Sequence, residues 1–339
     1  MADQVRLGLI GAGRIAQVHI KAYEAVPDAR WVAVADVVQA NREHVAAQLH
    51  ATPYEDYREL LARDDVDAVL ICTPNSLHAE MALAAAKAGK HIFCQKPIAL
   101  TLSDADAMIE ATRQAGVVFQ IGLMLRFTPP MAQIKQMIDE GVLGDLITVR
   151  GVAFGWEPND EWFYIPSKGG GVILDTLIHF ADLFQWFAGR ATRVYAEGGP
   201  FVLEGAKKHN SPDNAELLFR FQSGAMGSIY GTWTGGHGDF EIEVYGSRGA
   251  VTVTFLDKQA YTLFLKGQTQ TQSFSYPAGW NFPDTLHVWG YGSEARHFVD
   301  TILGRARPMA TGEDGRAALQ LVLAAHESAM TGKLIRLDP

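Results

Sequence analysis

Three groups of residues in this chain have the types and spacing to do chemistry. Lys96 stands directly before Pro97 and closely follows the apolar run His91–Cys94. Proline has no N–H and a fixed φ, so it ends a strand and restricts the lysine before it. An ammonium held at such a place can stabilise an alkoxide or take part in proton transfer. Asp175 and His179 follow Gly169-Gly170-Gly171 at i, i+4 spacing, which puts them on one helical face. A carboxylate there can orient an imidazole and stabilise its cationic form. The third group is Gly11-Ala12-Gly13-Arg14-Ile15-Ala16, a GxGxxG/A turn. Its first glycine permits the tight turn, its second lets the backbone approach a pyrophosphate, and the small Ala16 allows close helix–strand packing. The helix that follows offers free N–H groups and a positive dipole end.

A dinucleotide turn calls for an acidic residue about 20 positions on, at the end of the second strand. Asp36 is there, in Val34-Ala35-Asp36. Its carboxylate suits ribose hydroxyls and repels a 2′-phosphate, which favours NAD over NADP. Val37 and Val38 cannot grip a phosphate; Arg14 and Arg42 are the nearest cations that could reverse the preference. Each group also has a plain structural reading: a solvated strand-end lysine, an ion pair on a helix surface, a glycine turn beside an unrelated aspartate.

The elements that must position these residues are legible in the hydrophobic pattern. From residue 5 to 122, short apolar runs (Val5–Ile10, Trp31–Ala35, Ala68–Cys72, His91–Cys94, Val117–Gly122) alternate with amphipathic stretches such as Ser76–Ala88 and Ser103–Ala115. The two serines are expected N-caps, and Gly89 and Gly116 expected stops. This is the pattern of an α/β domain with a parallel sheet. Ligands of such sheets bind beyond the carboxyl ends of the strands. Thr73, Pro74, Asn75 and His78 are expected there, with Gln95 and Lys96 after the fifth strand and Arg126 after the sixth. Gly11, Gly13, Arg14, Ile15 and Asp36 complete the expected dinucleotide contacts. Residues 123–339 read as an α+β domain with an antiparallel sheet, interrupted by one helix over about residues 171–187.

Composition narrows the classes. The 339 residues suggest about two domains of roughly 150 residues. With 29 basic against 38 acidic side chains, a net charge of −9 argues against a general nucleic-acid binder. No apolar run is long enough for a membrane helix, and the N-terminus lacks a secretory pattern. Cys72 and Cys94 offer no disulfide framework or CxxC metal pair, and no Cys/His cluster joins Asp175 and His179, so no metal is expected. A reducing cytoplasm is the simplest compartment. Aromatic residues concentrate in the second half. Trp156, Trp162, Phe163 and Tyr164 flank Glu157–Glu161, Trp233 precedes Gly235, and Trp280 precedes Asn281. Aromatic faces suit sugar C–H faces. Trp162 and Trp280, with loop neighbours, are the expected substrate contacts, while the core explains most of the others. Arg126 either lines that pocket or pairs with an acid.

Taken together, GAGRIA, ADVV, TPNSLHAE, the Lys96-Pro97 dipeptide, GGG-x-x-x-D-x-x-x-H and Thr311-Gly312-Glu313-Asp314-Gly315-Arg316 resemble the Gfo/Idh/MocA family over nearly the whole chain. The resemblance implies an N-terminal Rossmann domain (residues 1–122) and a C-terminal domain (123–339), whose C-terminal helix can pack back on the first domain, with an open, mostly antiparallel sheet that commonly forms a homodimer or homotetramer interface. It implies hydride transfer between an alcohol carbon of a sugar, anhydrosugar or polyol and NAD or NADP. It makes Lys96, Asp175 and His179 the catalytic residues: His179 takes the hydroxyl proton, Asp175 holds its tautomer, and Lys96 stabilises the developing charge. All three would contact substrate. The chain departs from the family's frequent Glu-Lys-Pro in carrying Gln95, which removes a negative charge beside Lys96. A redox-neutral NAD-dependent glycosidase or epimerase, and a non-catalytic NAD/sugar sensor, are the alternatives on the same scaffold.

Overall fold

Six short strands form the first sheet of this computed structural model, which describes residues 4–155, 157–235, 240–254, 259–268, 271–275 and 289–337. In chain order the elements are β1 (Val5–Ile10), α1 (Arg14–Tyr23), β2 (Ala29–Ala35), α2 (Gln39–Leu49), β3 (Thr52–Tyr54), α3 (Tyr57–Leu61), β4 (Ala68–Ile71), α4 (His78–Lys87), β5 (His91–Cys94), α5 (Leu102–Ala115) and β6 (Phe119–Ile121). The sheet runs β3-β2-β1-β4-β5-β6, and every pair is parallel. This is the Rossmann order, with its switch point between β1 and β4. All four residues of β4 are buried, as a strand covered on both faces must be.

Two helix starts differ from expectation. Thr101, not Ser103, caps α5, its hydroxyl accepting from the Asp104 N–H at 3.1 Å. A short 3₁₀ turn, Asn75–Leu77, comes before α4. Both carboxyl-side glycines do close their helices, with Gly89 and Gly116 at φ of +69° and +65°. The helix Tyr291–Ile302 packs against α1, and its Ala295, Phe298 and Val299 enter the core formed by Ile20, Tyr23, Leu70 and Phe93. The chain also returns to the free edge of β6, where Ile121 N–H donates to Ala310 O at 2.8 Å.

A second sheet of nine strands uses β7 (Leu146–Phe154), β8 (Ala191–Gly199), β9 (Asn214–Phe221), β10 (Met226–Thr232), β11 (Phe240–Gly246), β12 (Gly249–Thr254), β13 (Gln259–Leu265), β14 (Gln272–Ser275) and β15 (Ile335–Arg336). The order is β14-β13-β12-β11-β7-β10-β9-β8-β15. All its pairs are antiparallel except β7 with β10. With it go α6 (Pro129–Asp139), α7 (Gly171–Asp175), α8 (Ile178–Ala188) and α9 (Glu204–His209). One sheet face buries Val149, Leu217, Phe219, Ile229 and Val244. Gly151 of β7 lets α8 come close: a Cβ there would lie 2.4 Å from the Phe180 ring.

The single helix expected over about 171–187 is broken. The N–H groups of Thr176 and Leu177 both go to Val172 O, at 2.9 and 3.1 Å. An i→i−5 bond widens the turn, a feature frequent at functional sites. Asp175 therefore ends α7, and His179 belongs to the first turn of α8. By packing, one compact unit comprises Met1–Phe127 with Thr285–Arg316, and the other Thr128–Asp284 with Ala317–Pro339. No helix among the described residues is long and apolar enough to cross a membrane.

Candidate active site

At the carboxyl ends of β1 and β4, Gly11 turns the chain with φ of +90°. A Cβ there would lie 2.7 Å from Cys72 O, whereas one on Gly13 would meet nothing within 4 Å. Gly11 is thus required by the turn, and Gly13 leaves room beside the backbone. No side chain caps the start of α1, so its first N–H groups remain available to an anion. The Asn75 amide nitrogen is buried without a hydrogen-bond partner. The cradle, the uncapped helix end and this donor fit a dinucleotide. Arg14 is exposed beside the turn, Ile15 half-buried, and Thr73 and Pro74 lie in the loop after β4.

Asp36 bridges the turn to the end of β2. Its carboxylate accepts from Ala12 N–H at 2.7 Å and from Val38 N–H at 2.8 Å. Each oxygen keeps lone-pair capacity for a ribose hydroxyl. Val37 and Val38 are exposed beside it, at 81% and 50%.

Several of the expected site residues make internal contacts. His78 is fully buried, with its ring nitrogens 2.8 Å from Pro97 O and 3.0 Å from Thr73 O. It therefore ties the loop after β4 to the turn after β5. Burial lowers its pKa and the Lys96 charge acts the same way, against the two carbonyls that raise it. Gln95, also expected beside the cofactor, is buried, and its amide nitrogen meets the ring of His19 on α1. Gly122 makes room for it, since a Cβ there would sit 3.3 Å from the Gln95 amide. Burial alone pushes His19 down to about 4, so the contact is between neutral groups at neutral pH. Arg126, expected either to line the substrate pocket or to pair with an acid, is buried and ion-paired with Asp314 at 3.1 Å. The sequence reading missed His19, although a histidine on the same face as Ala16, Ile20 and Tyr23 was a visible signal. Lys96 itself is half-buried at the end of this arrangement, before a cis peptide to Pro97.

In the other unit, Asp175 is half-buried and His179 is 9% exposed. The break between their helices presents Thr176, whose hydroxyl lies 3.4 Å from Asp175 Oδ2. The buried Trp233 indole N–H donates to that same hydroxyl at 2.8 Å. Trp233 is held by an edge-on contact with Tyr164 and by the open Cα of Gly155, where a Cβ would fall 2.8 Å from the indole. The sequence pattern does not single out Thr176, and for Trp233 it leaves both core and pocket open. Trp162 is half-exposed and stacks on Phe163 with ring centres 3.8 Å apart. Gly169 backs this pair, its Cα so close that a Cβ would lie 2.4 Å from Phe163 Cα. Trp156 and Trp280 lie outside the described residues. Among the described residues no group of three His, Cys, Asp or Glu side chains could hold a metal ion.

Comparison with known proteins gives these features a context. Residues 5–123 match the description "Oxidoreductase family, NAD-binding Rossmann fold", and residues 131–252 match the GFO/IDH/MocA C-terminal domain. The chain is 31% identical to a myo-inositol 2-dehydrogenase of Thermotoga maritima, across 98% of this chain and 99% of that one. It is 31% identical to the scyllo-inositol 2-dehydrogenase (NAD(+)) of Bacillus subtilis, across 100% of this chain and 98% of that one. Among solved structures, a "probable dehydrogenase" from Thermotoga maritima superposes with a TM-score of 0.84 at 30% identity, over 98% of this chain and 99% of that one.

Proposed function

Because the chain belongs to the GFO/IDH/MocA family of NAD-binding oxidoreductases, we propose that it oxidises a ring secondary hydroxyl of an inositol-like polyol with NAD. The broader activity follows from membership: the protein is an NAD(P)-dependent oxidoreductase of sugar or polyol CH–OH groups. The narrower substrate rests on the two inositol dehydrogenases, and the choice of NAD on Asp36.

One observation carries the enzymatic reading. Lys96 follows β5, which lies two strands from β1 and its dinucleotide turn. At about 4.8 Å per strand this is roughly 10 Å along the sheet edge, a span suited to the distance from pyrophosphate to nicotinamide. The Gly11–Gly13 turn and Asp36 would hold the dinucleotide, which would supply a hydride acceptor for the alcohol carbon. His179 takes the hydroxyl proton, and Asp175 orients the imidazole and stabilises its cation. Lys96 donates a hydrogen bond to the oxygen as its negative charge develops. The Trp162–Phe163 stack offers an apolar face to ring C–H groups. Leu218, Met226 and Phe264 are exposed on the sheet face opposite the buried one. They support a homodimer or homotetramer through that face. The buried free thiols of Cys72 and Cys94 suit a reducing cytoplasm.

The test is an absorbance assay of nicotinamide reduction with inositols, free sugars and anhydrosugars, using NAD and NADP separately. Steady reduction with an inositol and NAD is expected. No reduction with any alcohol, although NADH binds, would overturn the dehydrogenase reading in favour of a redox-neutral enzyme or a sensor.

A further inference from the structure

The register of β2 with β3 places two chain ends side by side: Ala35 pairs with Tyr54, so Asp36 and Glu55 follow adjacent strands. The Asp36 N–H donates to Tyr54 O at 3.2 Å. Arg42, in the first turn of α2, lies between them. One guanidinium nitrogen lies 3.4 Å from Asp36 O and 3.3 Å from Val37 O, and the other lies 3.2 Å from Glu55 Oε2. Arg42 is only 15% exposed, whereas Glu55 is 73% exposed. A cation therefore stands beside Asp36, with one terminal nitrogen turned to two carbonyls and the other to an outer carboxylate.

We propose that Glu55 sets the cofactor preference of this protein by holding Arg42 away from the 2′ position of the adenosine ribose. The proposal rests on the reading of Asp36 as the ribose ligand and goes one residue beyond it. Asp36 disfavours a 2′-phosphate by charge. Glu55 removes the compensation that a neighbouring arginine would give, since guanidinium is the group best matched to phosphate oxygens. Val37 and Val38 add no donor of their own. Glu55 is the exposed member of the pair, and a surface carboxylate contributes little to stability through such a contact, so Glu55 can be changed without loss of fold.

The experiment measures NADH and NADPH dissociation constants by nicotinamide fluorescence, without substrate. Asp36→Ser should lower the ratio of the NADPH to the NADH constant by about 10-fold, the size of one charged hydrogen-bond interaction. Adding Glu55→Gln should lower it about 10-fold further. Adding Arg42→Gln to that pair should return it to the Asp36→Ser value, which shows that the gain runs through Arg42 and neither through Arg14 nor through simple loss of negative charge. A gain that survives Arg42→Gln overturns the proposal, as does an Asp36→Ser, Glu55→Gln protein no better than Asp36→Ser. Tighter binding of NADPH than NADH by the unaltered protein overturns the NAD reading itself, and the proposal with it.

Discussion

At the strand ends of the first sheet, His78 rests on two backbone carbonyls and Asp36 on two backbone N–H groups. At Asp175 one partner is a side chain, the Thr176 hydroxyl, and behind that hydroxyl stands the Trp233 indole. Main-chain partners survive any single substitution of their own residue, whereas side-chain partners do not. The cofactor half should therefore keep its shape when one functional residue is changed, and the Asp175 half should respond to changes one residue removed from the chemistry.

The largest effect expected is on turnover. Lys96→Ala and His179→Ala should each lower kcat by at least about 10²-fold, the usual contribution of a proton-transferring or charge-stabilising group. NADH binding, read by fluorescence, should persist in both, because neither change touches the Gly11–Gly13 turn or Asp36. Loss of NADH binding in His179→Ala would break the comparison.

Glu294 runs against the pattern of the first unit. It is fully buried on the helix Tyr291–Ile302, and neither carboxylate oxygen has a hydrogen-bond partner; the Tyr23 hydroxyl is also unpartnered. Burial raises the Glu294 pKa well above its ordinary value. A carboxyl with a raised folded pKa contributes its stability below the unfolded value, near 4.5, and loses it as pH rises through the folded one. Above 4.5 each pH unit costs about 1.4 kcal/mol until the folded pKa is passed. Glu294→Gln does not titrate, so its thermal midpoint should gain on the parent between pH 5 and pH 8. A midpoint difference that stays constant with pH would mean the carboxyl is already ionised and solvated in the fold.

What was legible in the sequence follows the same division. The Gly11–Gly13 turn, Asp36 and the Lys96-Pro97 end depend on glycine and proline constraints that act within a few residues. The strand alternation of the Rossmann sheet was equally local. The His19–Gln95 contact and the Arg42–Glu55 pair depend on strand register and on helices distant in sequence. The break at Thr176–Leu177 has no glycine or proline to announce it; it is a choice of Val172 O by two N–H groups. Strand β8, with its arginine and its Gly198-Gly199 end, lacked a clear apolar alternation and was not anticipated. Arg126 could line a pocket or pair with an acid on residue type alone, and the acid it meets, Asp314, comes from a segment distant in sequence.

Thr176 gives the smallest effect and the sharpest separation. An indole N–H can only donate, so the Thr176 oxygen accepts from Trp233, and its own hydrogen is left for Asp175 Oδ2 at 3.4 Å. Thr176→Val keeps the shape, removes that hydrogen bond and strands a buried indole N–H. The stranded donor should cost about 1–3 kcal/mol of stability, measured by denaturant unfolding. The lost orientation of Asp175 should lower kcat by about 10-fold, one charged hydrogen bond at the weak end of its range, with the NAD KM unchanged. Thr176→Ser should restore both. Adding Trp233→Phe to Thr176→Val removes the stranded donor, so stability should recover in part while kcat stays low. If kcat recovered together with stability, Thr176 would act only through folding. If kcat never fell, Asp175 would be held by other groups, and its half of the site would be as insensitive to single changes as the half built on backbone.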